Sequence, residues 1–167
     1  MLEEAVAELQ GEAPRTAIEP DVNLPIAAYL PDDYVPDVHQ RLVLYKRLAS
    51  VCSPEELEDL RAELIDRYGD APDELDALCE LGSLKLMMRE LRLRQLDAGP
   101  GRLVVTLGTQ AALDSSRLAS LVQKSRGVLR LTPEMKLIAR IDAHTRGREY
   151  LVQANRVLRD LQTCFQE

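Results

Sequence analysis

Apolar and polar positions alternate along residues 22–30, with Val22, Leu24, Ile26, Ala28 and Leu30 separated by Asn23, Pro25, Ala27 and Tyr29. This is the period of a half-buried strand. Pro25 has no N–H to give to a ladder, so the strand is predicted at a sheet edge or paired on one side only. An acidic, Pro-bounded turn follows, and Pro36 in a first helical turn predicts a helix whose apolar side includes Leu42, Tyr45 and Leu48. The next helix has its ends written into the sequence. Ser53, Pro54 and Glu56 form a capping box with proline at the first helical position, and Gly69 supplies the terminal positive-φ residue. Between them Leu57, Leu60, Leu64 and Tyr68 recur at three and four, a stripe that must be buried.

Pro72 opens a long helix predicted to run to about Leu93. Ala77, Leu81, Leu84, Met88 and Leu91 make one seam, while Leu75, Leu78, Leu86 and Leu93 lie off it. A helix apolar on more than one side belongs at the centre of a domain, here packed by the two helices before it. Gly99, Pro100 and Gly101 mark a turn before a buried strand over 103–107. A helix over 114–124 with Asp114 as N-cap follows, then a β-hairpin turning at Thr132, Pro133 and Glu134. A terminal amphipathic helix carries Leu151, Ala154, Leu158, Leu161 and Phe165. The sum is an α+β fold, with several packed helices around a small mixed or antiparallel sheet in a compact single domain over residues 21–167. Leu2, Val6 and Leu9 predict a short helix continuing from a preceding domain, with a linker up to residue 20.

The chain of 167 residues is long enough for a real core, and 46% hydrophobic content excludes a disordered polypeptide. No apolar run approaches the roughly 20 residues that cross a bilayer, and the acidic start is unlike a signal peptide, so a soluble intracellular chain without membrane contact is expected. Cys52, Cys79 and Cys164 are odd in number and far apart, which predicts reduced thiols on helices. The net charge of −7 hides a split. Residues 1–80 carry 20 acidic and 6 basic side chains, a balance of −14, while residues 81–167 carry 8 and 15, a balance of +7. Two electrostatic faces are implied, the first suited to a basic partner surface.

Candidate chemistry is sparse. There is no GxxxxGK[ST] phosphate loop. Asp73, Glu74, Leu75 and Asp76 superficially match a helicase metal motif, but they start a helix and follow no buried strand. Asp32, Asp33, Asp37 and His39 are close together, yet turn and helix-start chemistry explains them, and no second histidine stands at ligand spacing. His144 is alone, and Ser115 and Ser116 lack a base. No catalytic residue, metal ligand or cofactor is assigned. A stand-alone enzyme would need a pocket gathering Asp32, Asp33 and His39.

The informative polar residues lie on the helix after Ser53. At about 100° per residue Glu56, Asp59, Glu63 and Asp66 fall on one side. Carboxylates in the first turns favour the helix dipole, which accounts for Glu56 and Asp59. Glu63 and Asp66 sit in the last turns, where the dipole disfavours them and Arg67 offsets only part of the cost. They are the candidate contacts to another domain, with Glu56 and Asp59 as flanking contacts. An accessory nucleic-acid-binding module is the alternative, because Lys85, Arg89, Arg92, Arg94, Arg146, Arg148, Arg156 and Arg159 form basic runs predicted on helices. Aromatic content of 4% argues against a platform for stacked bases.

LPDDYVPD at 30–37, RLVLYKRLAS at 41–50 and ELIDRYG at 63–69 together resemble the carboxy-terminal domain of the bacterial transcription-repair coupling factors, the Mfd family. Residues 1–10 resemble the end of the helix leaving that family's translocase lobe, and 22–31 the strand entering its terminal domain. The resemblance implies a bacterial, cytoplasmic parent, an ATP-driven DNA translocase that displaces stalled RNA polymerase and recruits UvrA for nucleotide excision repair. Within it, the terminal domain would be a non-catalytic regulator. It would dock on the amino-terminal UvrB-like module, mask the surface that UvrA binds and restrain the motor until polymerase is engaged. The family's docking carboxylates match Glu63 and Asp66, which would meet arginines of that module.

Overall fold

The computed structural model describes residues 19–109 and 111–165. Among them five helices and five strands run in the order β1 (Asp21–Asn23), α1 (Val38–Ser50), α2 (Pro54–Tyr68), α3 (Asp73–Leu91), β2 (Gln95–Gly99), β3 (Arg102–Thr106), α4 (Ser115–Lys124), β4 (Leu129–Leu131), β5 (Lys136–Arg140) and α5 (Glu149–Gln162). The strands form one sheet in the order β1-β2-β3-β5-β4. Only β1 and β2 are parallel, so the sheet is mixed and the fold is α+β as expected. The helix predicted over residues 2–9 lies outside the described residues.

β1 stands at the sheet edge, where Pro25 demanded it, but it is shorter than the alternation suggested. The ladder stops after Asn23, and the N–H of Ile26 bonds the carbonyl of Leu24 at 2.8 Å instead of a neighbouring strand. The alternation persists without hydrogen bonds, because Val22, Leu24, Ile26 and Ala28 pack on the core while the residues between them are exposed. β2, which the sequence reading did not assign, lies between β1 and β3 and pairs with both. The long helix α3 ends at Leu91, two residues early, because Arg92 turns the chain at φ 57°.

Two hydrophobic clusters share α3. The larger joins Ala77, Leu84, Met88 and Leu91 of α3 to Leu96, Leu103, Val105, Leu137 and Ala139 of the sheet and to Leu151, Ala154, Leu158 and Leu161 of α5. The smaller gathers Leu30, Val35, Leu44, Leu57, Leu60 and Leu64 around Leu75 and Cys79. α3 is central, as its two apolar sides required, but it is flanked by α2 and the terminal helix α5, not by the two preceding helices alone. The acidic half of the chain thus builds the smaller cluster and the basic half most of the larger. Cys79 lies on α3 as expected, but Cys52 lies between α1 and α2 and Cys164 just past the end of α5, so neither is on a helix. Burial pushes the Cys79 thiol up from 9.0 to about 11.

α1 departs from its predicted orientation. Asp37 is its N-cap, accepting from the N–H groups of His39 (2.8 Å) and Gln40 (3.3 Å), so Pro36 precedes the helix. Leu44 is the buried residue of this helix and Leu48 packs on the smaller cluster as predicted, whereas Leu42 is 56% exposed and Tyr45 is partly exposed, its hydroxyl accepting from the Leu30 N–H at 2.8 Å. Apolar side chains surround much of α1, so more than one face satisfied the helical period.

Candidate functional site

α2 forms where its caps place it. The Ser53 hydroxyl accepts from the Glu56 N–H at 3.2 Å, and the Glu56 carboxylate accepts from the Cys52 N–H at 2.9 Å. Glu56 therefore has a local task in starting the helix. At the other end Gly69 has φ 95°, a value side-chain-bearing residues rarely adopt, and its N–H bonds the Ile65 carbonyl at 2.9 Å. Leu57, Leu60 and Leu64 are buried, each contributing about 1.5–3 kcal/mol through its lost contact with water.

The two signature blocks of the sequence meet at the end of this helix. The hydroxyl of Tyr34, from LPDDYVPD, lies 2.8 Å from the Gly69 carbonyl oxygen and 3.1 Å from that of Leu64, and its one proton is shared between them. Its ring packs against Tyr68 at 5.7 Å between centroids and 51° between planes. Burial, and secondarily Asp70, raises the pKa of the Tyr34 hydroxyl. On its other flank α2 is tied to α3 by a forked pair, with Arg61 Nε and Nη2 at 3.1 and 2.9 Å from Asp76 Oδ1. That hydrogen bond raises the pKa of Arg61.

Against this fixed background the outward carboxylates are not equivalent. Glu63 borders the buried stripe and is bonded to Arg47 of α1, with side-chain exposures of 40% and 46%. Asp66 is exposed and makes no side-chain hydrogen bond or ion pair among the described residues. Asp59 is likewise exposed on the same side. Arg67 does not compensate Glu63; its guanidinium carbon lies 5.3 Å from the centroid of the Tyr68 ring. Arg47 was the partner that sequence reasoning missed, since nothing local signals a pair between two helices.

The other candidates separate. Asp37 caps α1, Asp32, Asp33 and His39 are exposed, and no group of three or more His, Cys, Asp or Glu able to hold a metal is found among the described residues. Asp76 of the superficial helicase match is committed to Arg61. Of the predicted basic runs, Lys85, Arg89, Arg156 and Arg159 lie on helices, but Arg92, Arg94, Arg146 and Arg148 do not, because α3 stops at Leu91 and α5 starts at Glu149. Arg89 bonds Glu19 and the Val51 carbonyl, and Arg148 bonds Glu80, which raises its pKa. Among the described residues no helix is long and apolar enough to cross a membrane.

Residues 24–118 match the TRCF domain family. A transcription-repair-coupling factor of Myxococcus xanthus is 60% identical over 164 residues, covering 98% of this chain and 14% of that protein. Those of Haemophilus influenzae and Escherichia coli K12 are 36% and 34% identical, covering 72% and 82% of this chain and 11% and 12% of theirs. The chain thus spans a small fraction of the length of the curated relatives it matches. A crystal structure of the C-terminal domain of a transcription-repair coupling factor has a similar fold, with TM-score 0.75 at 22% identity, covering 92% of this chain and 98% of that one.

Proposed function

The chain belongs to the TRCF domain family, and from that premise we propose that it is a regulatory, non-catalytic docking domain of a transcription-repair coupling DNA translocase. Its α2 carboxylates bind arginines of the parent's amino-terminal UvrB-like module, mask the surface to which UvrA binds and restrain the motor until RNA polymerase is engaged. The observation that carries this reading is Asp66: an exposed carboxylate in the last turn of a helix, where the dipole disfavours it, with no partner among the described residues. Glu63 extends the same surface, and its exposed bond to Arg47 is weak enough to be exchanged for an arginine from another domain. Because α2 is held by Tyr34, Arg61 and its buried leucines, the carboxylates are placed before the partner arrives and little ordering entropy is lost on docking.

A latch must also open. Charge-assisted bonds at a rim are modest, and tethering in one polypeptide supplies the effective concentration that closes them. In the full-length parent, Glu63→Lys with Asp66→Lys is expected to increase UvrA binding. Unchanged UvrA affinity in a folded double variant would sink the proposal.

A further inference from the structure

The sheet has one face in the larger core and one turned away from it. On the outer face Arg102, Val104 and Thr106 of β3 stand opposite Arg140, Ile138 and Lys136 of β5, and Arg130 of β4 stands opposite Ile138. Arg102, Arg130, Lys136 and Arg140 are exposed, and none has a carboxylate partner among the described residues. The acidic and amide groups of the same face are satisfied among themselves at its β1–β2 end. Asn23 Nδ2 donates to Asp97 Oδ1 at 2.9 Å and Gln95 Nε2 to the same oxygen at 3.0 Å.

Like charges directly opposite each other destabilise a sheet, and Arg102 with Arg140 is such a pair. Arg102 bends away over Gly99, where even a Cβ would come within 3.1 Å of its Nε. The arrangement is a cationic array around the apolar pair Val104 and Ile138, bordered on its β2 side by Asp97, which stands opposite Val104 and accepts from Asn23 and Gln95 and from none of the four cations. We propose that this outer face of β3, β5 and β4 binds the phosphate backbone of duplex DNA.

Two observations favour a duplex over other anions. The array carries no aromatic side chain, so it offers no stacking platform for unpaired bases. An acidic peptide is ordinarily held by side-chain pockets, and none of these four cations lines the clefts beside Leu48 and Leu81, beside Glu80 and Arg156, or beside Cys52 and Met87. The proposal rests on the sheet alone and does not depend on docking through α2. It also relocates the basic surface, since these four side chains are not those of the predicted basic runs, of which Arg89 and Arg148 are spent on internal pairs.

The test is fluorescence anisotropy of a labelled random-sequence DNA duplex with the whole 167-residue chain across a salt series. Four phosphate contacts predict a log–log salt slope of about −3.6, or roughly a 150-fold loss between about 50 and 200 mM salt. Arg102→Gln with Arg140→Gln is expected to reduce the magnitude of that slope by about 2 and weaken binding at low salt. Arg102→Lys with Arg140→Lys retains the charges and most of the affinity, and Arg156→Ala with Arg159→Ala on α5 leaves binding within about twofold. Circular dichroism confirms that each variant is folded, and Arg130→Gln with Lys136→Gln repeats the test should the first pair unfold. Absence of salt-dependent duplex binding, an unaffected Gln variant, tighter binding of single strands than of duplex, or binding of poly-glutamate in place of the duplex overturns the proposal.

Discussion

Arg47 of α1 is bonded to Glu63 of α2, so one of the two carboxylates facing outward near the end of α2 is shared within the chain while Asp66, three residues on, is not. The pair ties α1 to α2, and under the docking proposed above an incoming arginine would reach Asp66 directly but would have to displace Arg47 to hold Glu63. Arg47→Ala is therefore expected to strengthen docking on the UvrB-like module severalfold, measured by calorimetry. The stability loss should stay within about 1 kcal/mol, because exposed ion pairs contribute little. Weakened docking in Arg47→Ala would show that Arg47 itself belongs to the contact.

Glu56 separates capping from docking. Its carboxylate accepts from the Cys52 N–H, so Glu56→Ala is expected to lower stability in urea denaturation by about 0.5–2 kcal/mol. Docking affinity should change by less than about twofold, because a rim charge contributes little. A large affinity loss without destabilisation would make Glu56 a contact.

Tyr34→Phe keeps the ring against Tyr68 and removes the hydroxyl shared by the Gly69 and Leu64 carbonyls. Chemical denaturation is expected to show a loss of about 0.5–1.5 kcal/mol. Leu64→Ala, in the smaller cluster, is expected to cost about 2–5 kcal/mol in the same assay.

The thiols report on the packing of both clusters, with Cys79 in the smaller and Cys164 in the larger. Cys52 is exposed and is expected to react first with a thiol-specific reagent at neutral pH, whereas buried Cys79 and Cys164 react only on unfolding. The folded Cys79 thiol titrates near 11 against 9.0 for the free group, so between those values the unfolded chain loses its proton first. Stability should fall as pH rises through that window, and Cys79→Ala should flatten the fall. Equal reactivity of Cys52 and Cys79 in the folded chain would contradict the packing described.

The parts of the fold legible in the sequence are those with local causes. Ser53, Glu56 and Gly69 set the ends of α2 through bonds to their own neighbours, and Asp114 caps α4 by accepting from the Arg117 N–H at 3.0 Å. β2 was not legible, because Asp97, Ala98 and Gly99 are weak strand formers and the strand exists through pairing with β1 and β3. The burial of Leu44 instead of Leu42 depends on how α1 leans on α2 and α3, which a helical period cannot specify. The acidic ridge of α2 was legible from helical geometry and the dipole, but the bond from Arg47 to Glu63 was not, since it joins two helices.

Docking through α2 is best probed by calorimetric titration of this chain with the amino-terminal UvrB-like module of the proposed parent, comparing the native sequence with Glu63→Lys, Asp66→Lys and the two together. Each single change is expected to weaken binding and the double change to abolish it, with circular dichroism unchanged. Equal affinity of the native chain and the folded double variant would contradict it.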